Sequence, residues 1–328
     1  MITNYTDIEI EDKLVSLTDY NGKDERWNFN KSANDVIGDF YHKEGYKKYA
    51  QRANDCANRL GMALRSNSEG EFIMRLQSVF LCHLRMCPIC QASRTRVWQK
   101  RLDRGIAAIL ESQENYRYLF LTLTLKNCDV QDLRQTLLGM SKAFKIFMKD
   151  KNIVETCTGY IKSTEITKSK DFKAHPHFHV LLAVKPSYFS HYYISQSKYC
   201  EIWKRALKID YNPIVHIKPI KLEKDKLLQS ELMKKNIKEV AKYMVKPMDM
   251  IGEGKSQDRN FFIELSNQVK GIKATNLSGI FKQYVKSSEP TEEEILEANL
   301  EEIAQYSENE YSLAFNWSRI NKQYYQKS

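Results

Sequence analysis

One stretch, His175-Pro-His-Phe-His-Val-Leu-Leu-Ala-Val184, constrains the chain more than any other. On a strand, residues two apart share a face, so His177 and His179 project together while Phe178, Val180 and Leu182 enter a core from the opposite side. Two adjacent imidazoles form half of a divalent-metal site. Alone, the pair reads more readily as solvent-facing histidines on an amphipathic strand, so the neighbouring elements have to decide.

A preceding strand is expected over Tyr118–Leu125, where Leu119, Leu121, Leu123 and Leu125 point one way and Phe120, Thr122 and Thr124 the other. Leu133, Leu137, Met140, Phe144 and Phe147 then recur at helical spacing. Another strand, Thr158–Thr167, leads through the polar loop KSKDFKA into the histidine strand. On that strand Glu165 shares parity with Ser163 and Ile161, and a hairpin could bring it beside the two histidines as a third ligand. Two His and a carboxylate suit a metal that leaves positions open for a phosphate and water. A helix over Tyr192–Leu207, a strand over Pro213–Pro219 and a helix over Lys226–Lys246, stopped by Pro247, complete the order. This is an α+β fold: a largely antiparallel sheet with helices mainly on one side and the other face free for a site. In the last helix Glu239, Tyr243 and Lys246 share a stripe about 60° wide beside the apolar Met233, Ile237, Val240 and Met244. Acid, phenol and amine can face one cleft there, or Tyr243 can be an amphipathic shoulder and Glu239 a solvated charge.

Cysteine usage points to a second site. Cys82-x4-Cys87-x2-Cys90 offers three thiolates and Cys56 a fourth, enough to close a tetrahedral structural zinc, with His83 as an alternative to Cys56. Ordinary buried cysteines are the competing reading, and Cys128, Cys157 and Cys200 show no ligand spacing. The stretch Gln91–Arg104 places Arg94, Arg96, Lys100, Arg101 and Arg104 on a helix, as DNA-phosphate contacts or as a solvated basic face. Net charge is +10, and nine Glu with no Lys or Arg fall between Glu289 and Glu310, so the remainder carries nine units more and favours a polyanionic partner. No apolar run approaches the ~18 residues of a membrane span, and the amino terminus is acidic and polar, so a cytoplasmic protein without membrane contact is expected. Thr291 with Glu294 forms a capping box for an acidic helix.

In order, FLTLTLKN (Phe120–Asn127), HPHFHVLL (His175–Leu182) and EVAKYMVK (Glu239–Lys246) resemble the three motifs of HUH endonucleases. More narrowly, they resemble the single-tyrosine replication initiators (Rep) of small Gram-positive rolling-circle plasmids. The resemblance runs from about Arg52 to Lys286 and includes RANDCANRLG around Cys56, RMCPICQ before the first motif and SGIFK at Gly279. It implies a palm with a five-stranded antiparallel sheet. It also implies His177 and His179 as ligands of a catalytic Mg or Mn, Tyr243 as the nucleophile and Lys246 as a helper. Related subfamilies differ in the third ligand, for which Glu165 is preferred over His175. Glu239 is implied as the group that activates water at termination.

The expected organisation is an arm (1–45), a zinc-binding and basic DNA-contact region (46–110), an HUH nuclease domain (111–286) and an acidic extension (287–328). The implied substrate is one strand of a plasmid double-strand origin, single-stranded or extruded at the nick, with a host helicase or polymerase as a candidate partner for the acidic tail. A single-tyrosine HUH transposase or relaxase and a non-catalytic zinc-dependent DNA-binding regulator are the alternatives.

Overall fold

Strand alternation sets the centre of the molecule. In β3 (Arg117–Thr124), β4 (Cys157–Lys168) and β5 (Ala174–Val184) successive side chains enter two different cores. The structure is a computed structural model and describes residues 15–20, 25–66, 72–112, 115–221, 235, 240, 245–286, 291, 294–295 and 310–327. Most of the helix expected over Lys226–Lys246, including Glu239 and Tyr243, lies outside the described residues.

With β6 (Val215–Ile220) and β7 (Thr275–Gly279), these strands form a five-stranded antiparallel sheet in the order β6-β3-β5-β4-β7. β7 departs from the sequence expectation, because TNLSG lacks an apolar alternation and gains its place by pairing with β4. Its last residue, Gly279, has φ +55°, and a Cβ there would lie 1.9 Å from the Thr158 carbonyl oxygen, so only glycine allows the turn.

One face of this sheet packs Leu121, Leu123, Phe178, Val180 and Leu182 against the helices Leu133–Phe147 and Gln196–Leu207, through Phe144, Phe147 and Trp203. The other face was expected to stay open, and half of it does not. Tyr118, Phe120, Ile161, Leu181 and Ala183 are covered by Leu102, Ile106 and Ile109 of the helix Pro88–Glu111 and by Ile280 and Phe281 of the short helix Ile280–Tyr284. Five apolar side chains on that face would otherwise remain in water, at about 25 cal/mol per Å². Past Phe120 and Leu181 the same face turns polar, and the cover ends.

A second antiparallel sheet joins distant parts of the chain: β1 (Arg59–Ser66) pairs with β2 (Phe72–Val79) and with β8 (Glu310–Ser318), which pairs with β9 (Gln323–Gln326). Packed with it are the helices Glu25–Lys43, Lys47–Asp55 and Ser256–Gln268, through Ile37, Phe40, Tyr41, Phe262, Phe315 and Tyr324. The first of these helices lies within the stretch read as an unpatterned arm, and β8 and β9 lie within the stretch read as an acidic extension. The capping box is present: Thr291 donates its backbone N–H to Glu294 Oε2 (3.0 Å), and Glu294 donates its own to Thr291 Oγ1 (3.2 Å). No described helix is long and apolar enough to cross a membrane.

Candidate metal centres

The helix Pro88–Glu111 begins at a cluster of sulfurs. Cys87 is its N-cap, with Pro88 next and the Cys90 N–H donated back to Cys87 Sγ. Cys82 comes from the loop after β2, and Cys56 ends the helix Lys47–Asp55. All four side chains are buried, and Cys56 Sγ lies 3.6 Å from Cys87 Sγ and 3.7 Å from Cys90 Sγ, with Cys82 Sγ 3.7 Å from Cys90 Sγ. Four sulfurs about 2.3 Å from one tetrahedral ion stand about 3.8 Å apart, so the donor set fits zinc. Burial pushes the Cys87 thiol up, and so does sharing space with the other sulfurs. Buried together in an apolar core, the four sulfurs can all be thiolates only with a cation among them. Cys56 is the fourth sulfur; His83 points to solvent and is not in the cluster.

The second cluster follows from strand register. β5 pairs with β4 so that His179 faces Ser163 and His177 faces Glu165, and with β3 so that His179 faces Thr122 and His177 faces Thr124. Directly opposed residues share a face, which gathers these side chains where the apolar cover ends. Glu165 Oε2 lies 3.2 Å from His177 Nε2 and 2.7 Å from His179 Nε2. Ligand atoms about 2.1 Å from one ion and at right angles stand about 3 Å apart, so this set also fits a divalent ion. His177 donates its Nδ1–H to the His175 carbonyl oxygen at 3.3 Å, which turns Nε2 towards Glu165. A lone pair facing a carboxylate needs a second proton or a cation between them. Burial raises the Glu165 carboxyl, but hydrogen bonds from His177 and His179 outweigh it and hold the group well below the usual carboxylate range. His175 is not in this group: it donates Nδ1–H to Asn127 Oδ1 at 2.7 Å.

A family model described as "Replication protein" matches residues 73–325. The chain is 31% identical over 276 residues to a "Protein rep" of Lentilactobacillus hilgardii, covering 84% of this chain and 86% of that one. It is 33% identical over 267 residues to a "Protein rep" of Lactiplantibacillus plantarum, covering 80% and 82%. A "Replication protein" of Staphylococcus aureus is 30% identical over 232 residues, 69% of this chain and 97% of its own. The chain belongs to this family of replication proteins. No solved structure matches it significantly.

In this replication protein the basic residues of the helix Pro88–Glu111 have different surroundings. Arg101 is buried, donates to Glu294 Oε2 (2.5 Å) and to the Lys286 carbonyl (3.3 Å), and lies over the Trp98 ring. Arg94 donates to the His83 carbonyl at 3.1 Å, Arg96 and Lys100 are half-buried, and Arg104 is exposed. Arg96, Lys100 and Arg104, four residues apart along the helix, share one face, while Arg101 is turned into the protein. Lys246 is exposed and accepts the Met250 N–H at its carbonyl; Tyr243 and Glu239 lie outside the described residues.

Sequence reasoning missed Asp249, on the helix Pro247–Ile251. Burial raises its carboxyl, the charges of Lys246 and Lys168 oppose that, and the charge of Glu165 adds to it. The signal was slight: an acid three residues after Lys246. Lys168 itself is held by Asp258 at 2.7 Å.

Proposed function

We propose that the chain is the initiator of rolling-circle replication of a plasmid, a metal-dependent HUH endonuclease that nicks one strand of the double-strand origin through Tyr243 and later rejoins it. The observation that carries this reading is the Glu165–His177–His179 cluster, built in register on adjacent strands at the uncovered half of the sheet. The five-stranded antiparallel sheet supports the HUH palm, and membership in a replication-protein family favours replication over transposition or transfer.

A free tyrosine has a pKa near 10, so at pH 7 about one in 1000 is ionised, a deficit of roughly 4 kcal/mol for an attacking phenolate. Bound by Glu165, His177 and His179, Mg or Mn would polarise a non-bridging oxygen of the scissile phosphate. Lys246 adds positive charge for the same developing anion. The Tyr243 oxygen forms a bond to phosphorus as the bond to the 3′ oxygen breaks. The phenolic proton is lost, the 3′ oxygen is protonated, and a 5′-phosphotyrosine and a free 3′-OH remain. The covalent link conserves the phosphodiester for rejoining. One tyrosine cannot cut a second time while occupied, so Glu239 is assigned to activate water for the terminating cut. The Cys56–Cys82–Cys87–Cys90 set holds a structural zinc.

The test is incubation with supercoiled plasmid carrying the cognate origin and Mg or Mn, resolved on denaturing gels. Wild type should give a nicked strand carrying protein, and Tyr243→Phe should give none while binding DNA as wild type does. An adduct formed by the Phe variant would move the nucleophile to the exposed Tyr192 or Tyr193; Tyr199 is buried, and burial pushes its hydroxyl far up.

A further inference from the structure

His179 stands in the middle of a longer row. Register places Thr275, Ser163, His179, Thr122 and His216 in one line across all five strands, on one face. The next row is Leu277, Ile161, Leu181, Phe120 and Lys218. Its first four members are apolar and run under the helical cover, but on the edge strand β6 it ends in an exposed lysine. Lys218 Nζ lies 5.4 Å from the centre of the Phe120 ring, which is itself 5.7 Å from the His179 ring. His216 and Lys218, two of the three exposed residues of β6, therefore lie on the face of the metal cluster, two strands away, about 10 Å at the usual strand spacing. Between them and the cluster stands the half-buried Thr122, whose Oγ1 is 3.4 Å from His179 Nδ1; Thr124 is buried and donates to the Ile214 carbonyl. β6 contains no acidic residue, and among the described residues Lys218 forms no ion pair.

We propose that this strip is a track for single-stranded DNA, in which Lys218 and His216 hold the phosphate next to the one at the metal cluster. The inference rests on the reading of that cluster as the seat of the scissile phosphate. Charge complementarity selects the occupant, since a cationic edge leads past the Thr122 hydroxyl to a cation-binding cluster and a chain of phosphates can follow it. A strand passing over β3 lies along the sheet instead of standing off it, which fixes the attacked phosphorus with respect to Glu165, His177 and His179. An edge lysine has a second ordinary use, protecting a β edge from pairing with another chain.

The two uses separate by salt dependence. The full chain is titrated with labelled oligothymidylate without added Mg or Mn over a range of salt, for wild type, Lys218→Ala, Lys218→Arg and His216→Ala. Lys145→Ala serves as the control, an exposed lysine on the helix covering the opposite face. Lys218→Ala should bind severalfold more weakly at low salt, with the slope of log K against log salt smaller by about 0.7, one phosphate contact on a single strand. Lys218→Arg should keep the wild-type slope and His216→Ala should weaken binding less. A Lys218→Ala slope equal to that of wild type and of Lys145→Ala would overturn the proposal and leave Lys218 as an edge guard. Binding here needs neither nicking nor the catalytic divalent ion, so this result is independent of the plasmid-nicking test: wild type that fails to nick sinks the reading of the cluster, whereas an unchanged slope sinks the track alone.

Discussion

The two donor clusters differ in what surrounds them. The four cysteines are each at most 2% exposed, come from three separate segments and are set in an apolar core, with every donor of a tetrahedral ion supplied by the protein. Glu165, His177 and His179 come from one hairpin, the histidine side chains are each 12% exposed, and only three donors converge. A closed donor set has no position left for a substrate and can act only on the fold. An open set on a rigid sheet can exchange water for phosphate. The same contrast separates the rest of the molecule, since the helix Pro88–Glu111 starts at the closed cluster and ends beneath the sheet that carries the open one.

Removing a sulfur should have the largest effect. Cys87→Ser should abolish metal retention and, with structural zinc contributing on the order of 10 kcal/mol to small domains, unfold the cysteine-side core; zinc analysis and thermal melting read this directly. A variant that melts like wild type without zinc would erase the contrast. His177→Ala combined with His179→Ala should lower nicking of supercoiled plasmid by about 1000-fold or more at every Mg or Mn concentration, about 4 kcal/mol in barrier, while zinc content and melting stay put. Retained nicking would deny the open cluster its chemistry. Ile106→Ala, under the sheet at Phe120 and Leu181, should cost about 3 kcal/mol by chemical denaturation yet keep the zinc, showing that the helix supports the sheet independently of its metal end.

The smallest effect is a pH dependence at Glu294. The Thr291 N–H, then Arg101 and Lys286, outweigh partial burial and hold its carboxyl at about 2. Because that lies below the unfolded value near 4.3, the contribution to stability is complete above about pH 4.3 and fades as pH falls towards about 2. Glu294→Gln should flatten this part of the stability profile in acid melts. An unchanged profile would mean that Arg101 does not tie the helix to the Thr291 segment.

Much of the central sheet was legible because its strands repeat with period two and its helices with period 3.6. β3, β4, β5 and β6 and the helices Leu133–Phe147 and Gln196–Leu207 lie within a few residues of expectation. The pairing of Glu165 with His177 was legible too, since a hairpin with a known loop leaves few registers. Other parts were not. β7 is short and polar, and its position depends on β4; β1 and β8 recognise each other across most of the chain, which no local pattern encodes. The buried Arg101 looked like its neighbours on a basic helix, because Glu294, which captures it, is remote in sequence. His216 and Lys218 were written in the alternation of VHIKPI, but their significance needs the sheet order that puts β6 beside β3.

The pairing of Leu60 with Phe315 also sets a timetable for synthesis. At 5–20 residues per second a ribosome needs on the order of 10–50 s to make the segment between them. For that interval β1 lacks its second neighbour, and the nascent chain carries an open strand edge beside four reduced thiols. A message cut short before β8 is translated therefore yields a product with the histidine hairpin already made but with only half of the second sheet, β1 and β2.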